Sequence, residues 1–252
     1  IAGFIDKNDG IFYNYKCENI IDFSNTNSSS NTYSEYIEAR KYQINNGAHH
    51  YTALECYNNV NGGKRSYELG NNISLNILYQ KYYEQKSNEE NNYSVCVLLS
   101  QNDNHFLFTG DLEKSGEEDL VKNNDLPHVK VFKGGHHGSG NANCDTLLDT
   151  ITPENICICT CVGTPEYTKE DLNTFPYQDT INRMAKHTEN IYCTTQIDED
   201  INSESYQVKP MNGTIIVIST FNNFSITGTN NSLVLKETEW FKKHRTWPSK
   251  IE

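Results

Sequence analysis

The sequence predicts an α/β fold. Three times in its central part, a run of apolar or β-branched residues with strand character is followed by a segment with helical spacing. Strands that alternate with helices are typical of a largely parallel sheet with helices packed against it. The three strand and helix pairs are residues 105–109 and 113–122, 129–132 and 144–151, and 156–162 and 178–187.

The part of the chain before these repeats predicts one helix and several strands. Residues 33–46 have apolar positions at helical spacing. Residues 48–80 predict strands and turns, and the segment Asn-Gly-Gly-Lys at 61–64 is typical of a hairpin turn. Residues 94–99 are expected to pair with 105–109 as a second hairpin.

The end of the chain predicts a strand at 190–195, a hairpin over 213–227 and a helix at 237–245. No Pro- or Gly-rich linker divides the sequence. We therefore expect one domain over residues 1–230, followed by a helical tail over 231–252.

Composition sets limits on function. The chain has 252 residues, enough to bury a core, and a formal net charge of -12. This charge argues against a broad basic surface for nucleic acid, although a nuclease that holds its substrate only at the active site fits. No apolar run approaches the roughly 18–20 residues that span a bilayer, and we expect no signal peptide. A cytoplasmic protein is expected.

The eight cysteines do not follow a zinc-knuckle pattern. Cys157, Cys159 and Cys161 alternate along a predicted strand, so their thiols should share one face of it. Small buried side chains in a reducing compartment explain this pattern better than metal or redox chemistry.

Asp111 follows a predicted strand and the residues Thr109 and Gly110. A carboxylate at the end of a strand can bridge two cations, because its two oxygens reach separate metal ions. The alternative is structural: Asp111 would cap the helix that follows, with Glu113 and Glu117 near its positive end.

His136 and His137 lie between glycines directly after the next predicted strand. Glycine lets the backbone bend and leaves room for a ligand. One imidazole would bind metal and its neighbour would contact a substrate oxygen, while Ser139 would cap the next segment or support a phosphate. The alternative is an exposed polar turn. His49 and His50 have no strand before them, and we expect them in a surface loop.

Together these motifs resemble the metallo-β-lactamase fold, and within it the branch typified by the hydrolase domain of ComEC-type competence proteins. An Asn-x-Ser segment at Asn92 and Ser94 is similar to one in that branch. The motifs that carry the resemblance are TGDLE at 109–113, KVFKGGHHGS at 130–139, TCVG at 160–163 and the pair Phe175-Pro176.

The resemblance implies an αββα sandwich with two divalent metal ions at one edge of its sheets. The ions are usually zinc, with manganese as an alternative. It further implies that Asp111 bridges the ions and that His137 is a ligand, with His136 as the neighbour that faces the substrate; which of the two histidines is the ligand stays open. His136 and Ser139 are the expected catalytic residues, which would stabilise charge on the phosphoryl group.

The sequence departs from the family in three ways. The family's third histidine motif is missing, as is common in this branch, where the Asn-x-Ser segment takes its place. The family's main ligand cluster, His-x-His-x-Asp-His, is not present in this chain, and Phe175 stands where a histidine usually precedes the proline. In the family that cluster comes just before a segment that resembles residues 1–4. We therefore expect the N-terminal part of the fold to be missing from this chain.

These observations lead to an expected function and two alternatives. The first expectation is a metal-dependent hydrolase of phosphoesters, a phosphodiesterase or nuclease, that uses a water activated by two metal ions and acts on a nucleotide or nucleic acid. The alternative is a catalytically inactive or split member of the fold that acts as a binding or assembly module. Acyl or lactam hydrolysis is a third interpretation. The sequence leaves the substrate, the metal and the oligomeric state open.

Overall fold

A computed structural model describes residues 2–166, 173–198, 207–220 and 223–249, and it confirms the α/β class. In chain order the strands are β1 (Asn19–Asp22), β2 (His49–Thr52), β3 (Ser66–Gly70), β4 (Ile73–Ile77), β5 (Val97–Gln101), β6 (Asn104–Phe108), β7 (Val131–Lys133), β8 (Asn155–Val162), β9 (Ile191–Ile197), β10 (Val208–Pro210), β11 (Ile215–Ser219) and β12 (Phe224–Gly228). The α-helices are α1 (Ala2–Ile5), α2 (Ile11–Asn14), α3 (Asn31–Asn45), α4 (Ala53–Asn58), α5 (Lys114–Asn123), α6 (Asp145–Ile151), α7 (Gln178–Met184) and α8 (Glu239–His244).

Eight strands form one mixed sheet in the order β10-β9-β8-β7-β6-β5-β4-β3. Strands β3 to β6 are antiparallel neighbours, whereas β6, β7, β8 and β9 run parallel. Helices α5, α6 and α7 connect the parallel strands, so the three predicted strand and helix pairs are confirmed. Because parallel strands end at the same edge of a sheet, the loops after β6, β7 and β8 lie side by side.

The main hydrophobic core fills the space between one face of this sheet and helices α5 to α8. Its members are apolar residues of the parallel strands and the inward positions of the helices, among them Phe132, Ile156, Ile158, Leu120, Leu148, Ile181, Met184, Trp240 and Phe241. The residues of the C-terminal helix that belong to this core show that α8 packs on the sheet. Residues 250–252 of the expected tail lie outside the described part of the chain.

Two smaller sheets cover parts of the opposite face. The parallel pair β1-β2 packs on β4 and β5 through residues such as Ile21, Tyr51 and Ile77, and helix α3 packs on the outer side of β1. The antiparallel pair β11-β12 packs on β6 to β8 through Phe224 and Phe106. Helices therefore lie outside a double layer of sheets in part of the molecule, which is compatible with an α/β sandwich.

The prediction for residues 48–80 was wrong in two places. Helix α4 interrupts the segment, because Thr52 and Glu55 form a reciprocal capping box that starts a helix. The hairpin turn lies at Asn71 and Asn72 instead of 61–64. Both asparagines have positive φ angles of 52° and 56°, which a two-residue hairpin turn of this twist requires.

The expected alternation of Cys157, Cys159 and Cys161 is confirmed, but the expectation that all three are buried was wrong. Only Cys157 is buried, whereas Cys159 is exposed and Cys161 is half-buried, because a cavity lies against this face beside β11. Their neighbours Ile156, Ile158 and Val162 belong to the main core, while Cys157 packs in the cluster on the other face. All eight thiols are free. None of the described helices is both long and apolar enough to cross a membrane.

Candidate functional site

The structure brings the two sequence motifs together at one edge of the large sheet. Asp111 follows β6, and His136 and His137 follow β7, which pairs in parallel with β6 from Phe106 opposite Val131 onward. The backbone N–H of His136 donates a 3.1 Å hydrogen bond to the carbonyl of Gly110. The loops after β6 and β7 are thus joined directly beside the predicted site residues.

Asp111 is positioned by the predicted Asn-x-Ser segment. Its backbone N–H donates to Ser94 Oγ over 2.9 Å, and Asn92 Oδ1 accepts from the backbone N–H of Glu113 over 3.2 Å. Gly110 has a φ of 62°, and a Cβ at this position would lie 2.7 Å from Ser94 Oγ. A side chain at 110 would therefore push the loop away from the segment that holds it.

The structure excludes one of the two interpretations of Asp111, the helix cap. Helix α5 begins at Lys114, and the residue at its N-cap position is Glu113. The Asp111 carboxylate instead faces His137, with Oδ2 lying 3.6 Å from Nε2 of the imidazole. Asp111 does not cap the helix.

His137 is held in a fixed orientation. Its Nδ1 lies 2.7 Å from the carbonyl of Cys159 on β8, so Nδ1–H donates and Nε2 is turned toward Asp111. The Phe175 ring packs edge-on at 6.0 Å between centroids. Metal-binding histidines are usually anchored this way, through a hydrogen bond from the ring nitrogen that does not bind the metal.

The charges of this pair are coupled. The contact with Asp111 raises the pKa of His137, an effect that exceeds the opposing effect of burial. Burial alone would raise the pKa of Asp111, but the contact with His137 and the charges of His137, Lys133 and His136 hold it below its usual value. Both side chains remain partly exposed, 46% for His137 and 35% for Asp111, so solvent can reach them.

His136 faces a different carboxylate. Its Nε2 lies 3.4 Å from Oε1 of Glu166, and both side chains are more than nine-tenths buried. Ser139 Oγ donates a 2.8 Å hydrogen bond to Oε2 of the same glutamate. Ser139 is fully buried, so its hydroxyl is committed to Glu166 and is not on the surface.

Both histidines have left-handed backbone conformations, with φ of 44° at His136 and 55° at His137. Such angles are costly for residues other than glycine and persist only where the surroundings enforce them. Here Gly138 continues the same bend with a φ of 82°, and its Cα lies against Pro176, where a Cβ would come within 2.6 Å of the proline ring. We call Asp111, His136, His137 and Glu166 the rim of the site.

A buried polar network supports the rim from below. The Glu117 carboxylate accepts hydrogen bonds from the backbone N–H groups of Asn143 (2.8 Å) and Cys144 (2.7 Å). The Asn143 side chain in turn accepts from Gly135 N–H and donates to Gly135 O. Arg183 Nε donates to Asn143 O over 2.9 Å. We call Glu117, Asn143 and Arg183 the platform.

Glu117 is the most perturbed carboxyl group near the site. Complete burial raises its pKa to about 7, although the two N–H donors act in the opposite direction. The sequence placed this residue near a helix end and explained it by the helix dipole. In the structure, Glu117 instead supports the loop after His137, because it accepts a hydrogen bond from Asn143, which lies 26 residues after Glu117.

The predicted ligands Asp111 and His137 fit a divalent ion as two members of a ligand set, because a carboxylate oxygen and an anchored imidazole nitrogen face each other. Within the described ranges, no three His, Cys, Asp or Glu side chains form a group that could hold a metal ion. A tight site needs three or four ligands. His49 and His50 do not supply them and were wrongly expected in a loop: they begin β2, where His50 contacts Asp22 at 2.8 Å.

Two supporting residues were missed by sequence reasoning. Glu166 lies 27 positions after Ser139, and Arg183 lies 40 positions after Asn143. No local pattern marks either residue. The only available signal was indirect: both residues follow β8 in the chain, and the carboxyl end of β8 lies at the same edge of the sheet as Asp111.

Comparison with known proteins gives one relative. The chain is 27% identical over 143 residues to ComE operon protein 3 of Bacillus subtilis (strain 168). The match covers 56% of this chain and 17% of the relative, so the matched residues span about a sixth of that protein's length. No family model matches the chain. The similarity points to a relationship with ComE-type proteins, at the level of a distant relative.

Proposed function

We propose that this chain forms part of a metal-dependent phosphoester hydrolase of the metallo-β-lactamase type, a phosphodiesterase or nuclease. The observation that carries the proposal is the approach of Asp111 and His137, two residues 26 positions apart, to 3.6 Å at the edge of a mixed sheet. The distant similarity to ComE operon protein 3 supports the same branch. The αββα architecture and the cytoplasmic location belong to this proposal.

Asp111 and His137 would hold the metal, with zinc as the first candidate and manganese as the second. Divalent ions at such a site lower the pKa of a bound water and neutralise charge on a phosphoryl group. The chain itself fixes the ligands: Ser94 sets the loop of Asp111, and the Cys159 carbonyl sets the ring of His137. Further ligands would have to join these two.

His136 is the side chain that we assign to the substrate. It neighbours the metal pair in the same bend, and its Nε2 lies 3.4 Å from Oε1 of Glu166. A histidine in this place can donate a hydrogen bond or a proton to a phosphoryl or leaving-group oxygen. Lys133 adds positive charge beside Asp111 and His137, which favours an anionic substrate in a chain of net charge -12.

The proposal is tested on the full-length protein with bis-p-nitrophenyl phosphate in the presence of zinc or manganese. We expect hydrolysis by the unaltered protein and a loss of about 100-fold or more in Asp111→Ala. Asp103→Ala is the matched control, because this aspartate lies in the exposed turn between β5 and β6. Activity that survives in Asp111→Ala, or none with either metal, would contradict the proposal.

A second candidate function follows from a specific observation. The described residues offer only two facing ligands, which favours a non-catalytic binding or assembly module. Metal analysis of the purified full-length protein separates the two candidates. About two equivalents of metal per chain favour the hydrolase, and a protein that takes up none favours the module.

A further inference from the structure

Glu166 connects the two residues that the sequence assigned to catalysis. One carboxylate oxygen, Oε2, accepts from Ser139 Oγ at 2.8 Å, and the other, Oε1, lies 3.4 Å from His136 Nε2. The Glu166 side chain is 7% exposed and that of His136 is 8% exposed. A single buried carboxylate therefore contacts both residues with separate oxygens.

Ser139 cannot reach a substrate in this arrangement, because it has no exposed surface. Its hydroxyl donates to Glu166 and also accepts from the backbone N–H of Asn141 at 3.3 Å. Its backbone carbonyl accepts from Thr180 Oγ1 at 2.7 Å, which ties the residue to helix α7. Ser139 is thus a fixed point against which the glutamate is held.

His136 is less constrained than this fixed point. Its Nδ1 is buried and has no hydrogen-bond partner among the residues that the structure describes, and Oε1 of Glu166 is in the same position. Buried polar atoms without partners cost about 1–3 kcal/mol each. Such atoms in a native structure often mark functional sites. Here His136 and Glu166 are in contact, and each has one polar atom that makes no hydrogen bond to the described residues.

We propose that Glu166 is a positioning residue. This role rests on the proposed function above. Glu166 is anchored by Ser139, and its Oε1 lies against Nε2 of His136 and holds that ring in one orientation beside the metal pair. The metal pair does not depend on it, because His137 has its own anchor at Cys159. The site therefore has two separately anchored halves, one for the metal and one for the substrate.

The first test does not need activity. Histidine ring spectra (1H–15N) of the full-length protein are compared for the unaltered chain, Glu166→Gln and Glu166→Ala, with His136→Gln used to assign the signal. We expect the His136 ring signals to shift in Glu166→Gln and to broaden in Glu166→Ala, while those of His137 stay in place. His136 signals that are identical in all three proteins would overturn the proposal, whether or not the protein is a hydrolase.

The second test separates positioning from direct catalysis by Ser139. If Ser139 acts through Glu166, Ser139→Ala changes the His136 ring signals in the unaltered chain but adds nothing in Glu166→Ala. A double-mutant cycle measures this coupling. Independent, additive effects of the two substitutions would overturn the chain of contacts from Ser139 through Glu166 to His136.

The third test uses hydrolysis of bis-p-nitrophenyl phosphate. Loss of an outer residue that orients a functional side chain commonly lowers activity 10- to 100-fold, and we expect about that loss in kcat for Glu166→Ala, with KM within about twofold. Glu166→Gln, which keeps an acceptor for Ser139, should retain intermediate activity. Zinc affinity should stay within about twofold. A tenfold weaker zinc affinity in Glu166→Gln would overturn the proposal and make Glu166 a ligand.

Discussion

The platform and the rim lie within a few residues of each other and are built in opposite ways. On the platform, Glu117 is fully buried and each of its carboxylate oxygens accepts a backbone N–H at 2.7–2.8 Å. On the rim, the charged contacts are long, 3.6 Å between Asp111 and His137 and 3.4 Å between His136 and Glu166. Both carboxylate oxygens of Glu117 on the platform are hydrogen-bonded. On the rim, Nδ1 of His136 and Oε1 of Glu166 make no hydrogen bond to the described residues.

The platform and the rim therefore contribute differently to stability and to ligand binding. Short, buried hydrogen bonds to a carboxylate contribute to folding, and their loss leaves donors without partners. The long contact between the partly exposed Asp111 and His137 contributes little to stability, whereas His136 and Glu166 are more than nine-tenths buried. Substitutions in the platform should therefore destabilise the protein, and substitutions of Asp111 or His137 should change ligand binding in a protein that remains folded.

The largest expected effect comes from Glu117→Ala. It removes the acceptor of two buried backbone N–H groups and leaves a cavity, so the free energy of unfolding should fall by about 3–5 kcal/mol. Glu118→Ala is the control, since Glu118 is exposed and should change stability by less than about 0.5 kcal/mol. Urea unfolding measures both. Equal, small effects would remove the distinction between platform and rim.

The second-largest expected loss of stability tests the close approach of Gly138 to Pro176. Gly138→Ala places a methyl group 2.6 Å from the proline ring at a φ of 82° and should cost about 2–4 kcal/mol. Gly47→Ala is the matched control: Gly47 has a φ of 97° but nothing within 4 Å, so it carries the backbone cost of about 1 kcal/mol alone. If both variants lose the same stability, Pro176 does not constrain the histidine loop.

A third prediction concerns pH. Because burial raises the pKa of Glu117 from 4.5 to about 7, the folded protein keeps a proton that the unfolded chain releases between these values. This contribution to stability is present below pH 4.5 and is lost as the pH rises through 7. Relative to Glu117→Gln, the unaltered protein should lose on the order of 3 kcal/mol between pH 4.5 and 8. Parallel stability curves for the two proteins would contradict it.

The smallest change in stability is expected for Asp111→Asn. The pair with His137 is partly exposed and screened by solvent, so the free energy of unfolding should change by less than about 1 kcal/mol. The substitution removes the contact that raises the pKa of His137, which should therefore fall toward its usual value. Thermal unfolding and an NMR titration of the His137 ring measure the two effects. A loss of stability as large as that of Glu117→Ala would place Asp111 in the platform.

The sequence predicted the rim better than the platform. Asp111, His136 and His137 could be found because each follows an apolar strand and a glycine, which are local signals. Their meeting followed from parallel strands that end at one edge. The roles of Glu117, Glu166 and Arg183 depend on contacts across 26 to 43 positions, and no local spacing encodes them.

The same reasoning explains the errors in the N-terminal half. The capping box at Thr52 and Glu55 is a local signal for a helix start, and the positive φ angles of Asn71 and Asn72 fit a hairpin turn better than residues 61–64 do. Thr52, Glu55 and the Asn71-Asn72 pair are visible in the sequence, but the glycines at 62 and 63 are the stronger turn signal. The pairing of β1 with β2 is parallel and joins distant residues, so it could not be predicted from alternation alone.

The most direct measurement is a competition titration of zinc against a chromophoric chelator, on the full-length protein and on Asp111→Asn and His137→Gln. Facing carboxylate and imidazole groups that share an ion predict a loss of affinity of at least about tenfold in each variant, with stability close to that of the unaltered protein. Zinc affinity that is the same in all three proteins would contradict a metal site between Asp111 and His137.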